Sequence, residues 1–157
     1  MKLEFFRVAP VIILFVSAAA ALAFQSLPWT VMFVGLLLNG LIWVLVNPII
    51  KKHYPELSKR PQKSQCYFFY QKNLTDAGGM PSGHCQSAAF FSMFLILMAI
   101  NSGASMPVII STILFGAWFT IGMMISRVHY YRCHTTLQAT VGSLVGILTA
   151  VFMNVFL

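Results

Sequence analysis

Residue types that handle phosphate gather at three places in this chain of 157 residues. Residues 51–61 hold Lys51, Lys52, His53, Lys59 and Arg60, closed by Pro61. Residues 81–84 read Pro81-Ser82-Gly83-His84. Residues 126–134 hold Ser126, Arg127, His129, Arg132 and His134, with Gln138 one helical turn further on. Arginine offers a planar fork of donors that matches phosphate oxygens, and lysine adds a point charge. A Ser-Gly turn that opens a helix presents N–H groups and the positive helix end to an anion. Two histidines can divide the work of phosphoryl transfer. One attacks phosphorus as nucleophile, and the other protonates the leaving oxygen. Fixed cations can stabilise the transition-state charge, so such a site needs no metal and no other cofactor.

Each cluster lies at the end of an apolar run, and those runs must position the chemistry. The chain is 59% hydrophobic and 8% charged, against roughly 25% charged in soluble domains. Its mean hydropathy is +0.81. A soluble chain of this length could not cover so much apolar surface. A bilayer core of about 30 Å takes about 20 helical residues, and the pattern supplies five such runs. The expected fold is all-α: a polytopic membrane helix bundle in a single domain over 1–157. The predicted spans are about 8–24, 29–50, 85–100, 108–125 and 136–157, with a polar loop over 51–83. Ala21-Leu22-Ala23 mimics a signal-peptidase site. The run before it is long for a signal peptide, so a retained first helix is the preferred reading.

With five spans, the N-terminus and the loops 51–83 and 126–135 share one membrane face. Every Lys and Arg lies on that face. The charge rule for membrane proteins would call it cytoplasmic. The net charge of +7 sits between apolar spans, which favours lipid headgroups or phosphorylated substrates over nucleic acid. Asn39, in mid-span, is expected to face another helix, since an unpaired amide in lipid is costly. Gly142-x-x-x-Gly146 offers a small-residue face for close helix contact. Three cysteines without CxxC spacing indicate neither a disulfide framework nor a zinc site.

The three clusters resemble the motifs of the phosphatidic acid phosphatase type 2 superfamily: K-x6-R-P, then P-S-G-H, then S-R-x5-H-x3-D. Pro81–His84 matches the second residue for residue. Lys52 with Arg60-Pro61 resembles the first, and Ser126-Arg127 with His134 resembles the third. The first and third are each one residue longer than the family pattern, and Gln138 stands where the family has Asp. His134-Thr135-Thr136-Leu137-Gln138, Gly79-Met80 before the serine and Gln86 after His84 look like the dolichyl-diphosphatase branch. The resemblance implies a polyisoprenyl diphosphate or lipid phosphate phosphatase acting through a phosphohistidine. It makes His134 the nucleophile and His84 the general acid. It assigns phosphate oxygens to Lys52, Arg60 and Arg127, with Ser82 and Gly83 as further donors. Gln138 would hydrogen-bond the His134 ring and set its tautomer.

Other polar residues have plainer readings. His53 and His129 read as solvated, Arg132 and Lys63 as surface charges, and Tyr130 and Tyr131 as interfacial anchors. The same motifs also leave open a lipid-phosphate-binding pseudoenzyme or a phosphotransferase of this fold, or a small channel or assembly subunit. The resemblance places the site on the lumenal or outer face, in the endoplasmic reticulum membrane for a eukaryotic chain. The sequon Asn73-Leu74-Thr75 lies in the same loop.

Overall fold

The computed structural model describes residues 4–61 and 78–157. The sequon at Asn73, Lys63 and the aromatic stretch 66–70 lie outside the described residues. The elements are α1 (Glu4–Phe24), α2 (Leu27–His53), the single turn α3 (Pro55–Ser58), α4 (Gly83–Asn101), α5 (Met106–Ile125) and α6 (Thr136–Asn154). A π-helical turn, Ser126–Tyr130, continues α5. No strand occurs among the described residues.

Five of these helices are long and apolar enough to cross a membrane, which makes the chain a multi-pass membrane protein. Their outward side chains are large and apolar, Phe15, Leu22, Val44, Leu114, Trp118 and Leu148 among them. That exposure would be ruinous in water and is what lipid requires. Pro28 and Pro107 sit in the first turns of α2 and α5, where a missing N–H leaves no intrahelical bond unmade.

The helix ends alternate as five spans require. His84 at the start of α4 meets the Arg7 carbonyl near the start of α1. Asn47 near the end of α2 holds the turn that precedes α4, and Ser82 N–H donates to the Gln138 carbonyl at the start of α6. At the other face Asn101 closes α4 onto Asn154 of α6, at 2.8 Å. The polar clusters therefore collect at one end of the bundle.

Glycine sets how close α4 and α6 come. A Cβ on Gly142 would lie 2.5 Å from the Ser82 carbonyl oxygen, and one on Gly146 would run into the carbonyl of Gln86. The Gly142–Gly146 face thus seats the start of α4 directly on α6. Below it, Phe90 and Phe94 stack at 5.6 Å in a core shared with Met32, Leu36, Ala150 and Met153. α1 joins this core through Phe6, Ala9 and Ile13.

Candidate active site

The turn 78–82 is held by side chains from four directions. Its carbonyls each take a donor: Gly78 from Asn47 Nδ2 and Arg60 Nη2, both at 2.9 Å; Gly79 from the His134 ring, 2.8 Å; Met80 from Asn47 Nδ2, 2.9 Å; and Pro81 from Trp43 Nε1, 2.9 Å. Its N–H groups are used as well. Gly78 donates to Asn47 Oδ1 at 2.9 Å, and Gly79 donates to the Ser58 carbonyl at 2.6 Å. A buried turn carries polar backbone that must be satisfied. Here satisfying it also fixes Arg60 and His134. The Met80–Pro81 peptide is cis.

A cavity of about 270 Å³ opens beside this turn. Arg60, His84, Arg127 and His134 line it together with Gly83, and Asn39, Gly40, Trp43, Gln86, Ser87 and Pro10 form the rest of the wall. Residues 60, 84, 127 and 134 come from all three of the polar clusters. The fold therefore gathers both histidines and two of the three expected phosphate-binding cations around one space.

His134 is 3% exposed. Its Nδ1 faces the Gly79 carbonyl, which can only accept, so the ring proton sits on Nδ1 and Nε2 keeps its lone pair. Burial pushes the imidazole down to about 3, Arg60 and Arg127 add to the depression, and the bonds with Gly79 and Gln138 oppose it. His134 is therefore neutral at physiological pH. His84 Nε2 lies 3.2 Å from the Arg7 carbonyl, which gives it a defined orientation from α1. Arg127 is fully buried, with its guanidinium 5.7 Å from the centre of the Tyr131 ring, a cation–π distance.

The extra residue between Arg127 and His134 has a visible place. The π-turn closes with Tyr131 N–H on the Ser126 carbonyl, a five-residue step that takes up one residue more than an α-turn. Arg132 then adopts φ +50°, and Cys133 and His134 N–H both return to the Arg127 carbonyl, at 2.9 and 3.3 Å. The chain folds back on itself and delivers His134 to the cavity that Arg127 lines.

Several expectations need correction. Lys52 does not line the cavity and is exposed. The inward line of α2 runs Asn39, Trp43, Asn47 at four-residue steps. Lys52 follows Asn47 by five residues, which turns it about 140° away. Ser82 is fully buried but lies outside the lining. Its N–H serves the Gln138 carbonyl at 3.1 Å, so of the Ser82-Gly83 pair only Gly83 reaches the cavity. Gln138 does hydrogen-bond His134, but the tautomer is set by the Gly79 carbonyl. Gln138 is chiefly a latch: it closes a capping box with Thr135, and its Nε2 donates to the Leu57 and Lys59 carbonyls at 2.8 and 2.9 Å. Tyr131 is buried against Arg127 and is not a surface anchor. Cys133 is disulfide-bonded, although the cysteine spacing indicated no such bond, while Cys85 is free and buried. The segment 126–130, read as loop, is helical.

Two site-building residues escaped the sequence reading. Asn47 carries the turn through three hydrogen bonds, and Trp43 adds a fourth. The signal for Asn47 was there: an amide inside an apolar span must find partners. Asn39, expected to bind another helix, does so by accepting from Gln86 Nε2 at 2.9 Å through both its oxygens.

A family model described as the PAP2 superfamily matches residues 10–157. Dolichyldiphosphatase 1 of Dictyostelium discoideum is 34% identical to this chain over 120 residues, which is 73% of this chain and 46% of that protein. The chain thus matches rather less than half the length of that curated relative. No solved structure gives a significant match.

Proposed function

The chain belongs to the PAP2 superfamily, and on that premise we propose that it hydrolyses a polyisoprenyl diphosphate in the membrane through a phosphohistidine. The observation that carries this reading is the bond from His134 Nδ1 to the Gly79 carbonyl, made in a cavity shared with His84, Arg60 and Arg127. The similarity to a dolichyldiphosphatase supports the choice of substrate class, and a lipid phosphate monoester is its near neighbour.

His134 Nε2 attacks the terminal phosphorus, and the bond from phosphorus to the bridging oxygen breaks. Arg60 and Arg127 hold the equatorial oxygens as charge spreads over them. His84 enters as the imidazolium, with its Nε2–H on the Arg7 carbonyl, and gives its Nδ1 proton to the departing polyisoprenyl phosphate. Phosphorylation leaves a positive charge on the His134 ring, and the Gly79 carbonyl at Nδ1 stabilises it. In the second half His84 takes a proton from water, which attacks the phosphohistidine. Inorganic phosphate leaves and His134 returns to its neutral form. The protein supplies the cations, so the step is written without a metal.

Purified protein in detergent is expected to release phosphate from a polyisoprenyl diphosphate, with activity persisting in excess chelator. Brief exposure to substrate labelled in the terminal phosphate should leave acid-labile label on the wild type and none on His134→Ala. Hydrolysis that survives His134→Ala would remove this mechanism.

A further inference from the structure

The cavity reaches the surface of the protein at a place the phosphate chemistry does not use. Gly40 lines the cavity and is exposed. It lies about 20 Å along α2 from His53, in the middle of a membrane span. A residue that is at once cavity wall and exposed surface, at that depth, marks where the cavity meets lipid. The α2 residues around it, Leu37, Leu41 and Val44, are exposed and apolar. Across the cavity stands Pro10 of α1.

Packing does not account for the glycine. At Gly35, Gly142 and Gly146 an added Cβ would collide with Phe90, the Ser82 carbonyl and the Gln86 carbonyl respectively. At Gly40 an added Cβ meets nothing within 4 Å. Glycine is among the poorest helix formers, and here no neighbouring atom demands it.

The size of the cavity points to an occupant. At about 270 Å³ it falls just below the roughly 300–1,000 Å³ of pockets that enclose a whole drug-sized ligand. It suits a diphosphate headgroup and cannot also take a long hydrocarbon chain. Withdrawing that chain from the bilayer is strongly unfavourable, so a route must let it stay in lipid while the headgroup is bound. We propose that the gap between α1 and α2 at Pro10 and Gly40 is that route, with the substrate's hydrocarbon chain lying across Gly40. The absence of a side chain there sets the width of chain that passes. This rests on the proposed lipid diphosphatase reading and adds the path of the lipid and the residue that gates it.

Gly40→Ala and Gly40→Leu test the idea, because nothing lies within 4 Å of a Cβ at this position and an alanine therefore displaces no neighbour. Melting temperature in detergent should match or exceed that of the wild type. The full chain would be assayed with a long polyisoprenyl diphosphate and with isopentenyl diphosphate, whose headgroup is the same and whose chain is too short to cross the gap. Gly40→Leu is expected to lower the ratio of kcat/KM, long over short, by about tenfold or more, with Gly40→Ala intermediate. An unchanged ratio would overturn the route and leave the phosphatase reading intact. A wild type that hydrolyses neither substrate would overturn that reading and the route with it.

Discussion

The first and third motif segments carry the same irregularity and resolve it in opposite ways. Each has one residue more than the family spacing. Between Arg127 and His134 the surplus is taken up inside the segment, by the π-turn and the φ +50° of Arg132, and both ends line the cavity. Between Lys52 and Arg60 only one end does. The difference lies in what is anchored. Arg127 is packed on Tyr131 and His134 is tied to Gly79, so the strain of an added residue can only go into the backbone between them. Arg60 is tied to Gly78, but Lys52 is an exposed residue on the last turn of α2. Where only one end is held, the helix keeps its own phase and the other side chain turns outward.

The comparison is tested hardest at the anchored pair. Arg127→Ala should reduce kcat/KM by about 10²–10³-fold, the scale of losing a preorganised charge at a phosphoryl transition state. Because Arg127 also faces Tyr131 and its carbonyl receives Cys133 and His134, Arg127→Lys serves as its companion. A lysine keeps the charge but loses the fork, so partial recovery is expected. If Arg127→Ala proved as mild as a change at Lys52, the two segments would not differ as described.

The burial of the anchored end also appears in the pH dependence of stability. His134 is pushed down to about 3, whereas a histidine in the unfolded chain titrates near 6.5. Between those values the unfolded state binds a proton that the folded state does not. The stabilisation tied to the neutral ring is thus complete above about pH 6.5 and is lost progressively as pH falls toward 3. Melting temperatures between pH 7 and pH 4 should fall more steeply for the wild type than for His134→Gln, which cannot take up that proton. Equal slopes would mean that His134 is neither buried nor held neutral.

Much of this was legible in the sequence, and the boundary of legibility is physical. The five spans could be read because a bilayer imposes length and apolarity on every crossing. The predicted ends fell short chiefly at the site face, where α2 continues through Lys51 and Lys52 to His53, past the apolar run. Arg60, His84, Arg127 and His134 were singled out because the clusters that hold them resemble the family's three motifs in order. What holds them was hidden. Trp43, Asn47 and His134 reach backbone carbonyls 31 to 55 residues away, and a carbonyl has no letter in the sequence. The π-turn was equally invisible, since residues 126–130 have no composition that separates it from a loop. Its trace was the surplus residue itself, which becomes meaningful once both ends are seen to be held.

That trace can be tested directly. Deleting His129, an exposed residue of the π-turn, should convert the turn to α-helix and restore the shorter spacing. Activity should stay within about tenfold of the wild type, because the anchors at Arg127 and His134 remain. Deleting Thr140, also exposed, is the contrasting case. It would rotate the rest of α6 by about 100° and carry Gly142 and Gly146 away from α4, where a side chain cannot fit. A His129 deletion as damaging as that at Thr140 would show that the π-turn is required in itself.

The smallest effect is expected at Lys52. It is exposed, lies about 140° round α2 from Asn47 and is absent from the cavity wall. An exposed cation near an anionic substrate still contributes long-range attraction, which salt screens over a Debye length of about 8 Å at physiological ionic strength. Lys52→Ala should therefore change kcat/KM by no more than about twofold, with the difference vanishing as salt is raised. Arg127→Ala, removing a fully buried charge, should keep its full deficit at any salt concentration. A large, salt-independent loss at Lys52 would mean that α2 turns inward when substrate binds. The two segments would then be equivalent at the moment of reaction, and their difference would belong to the resting protein alone.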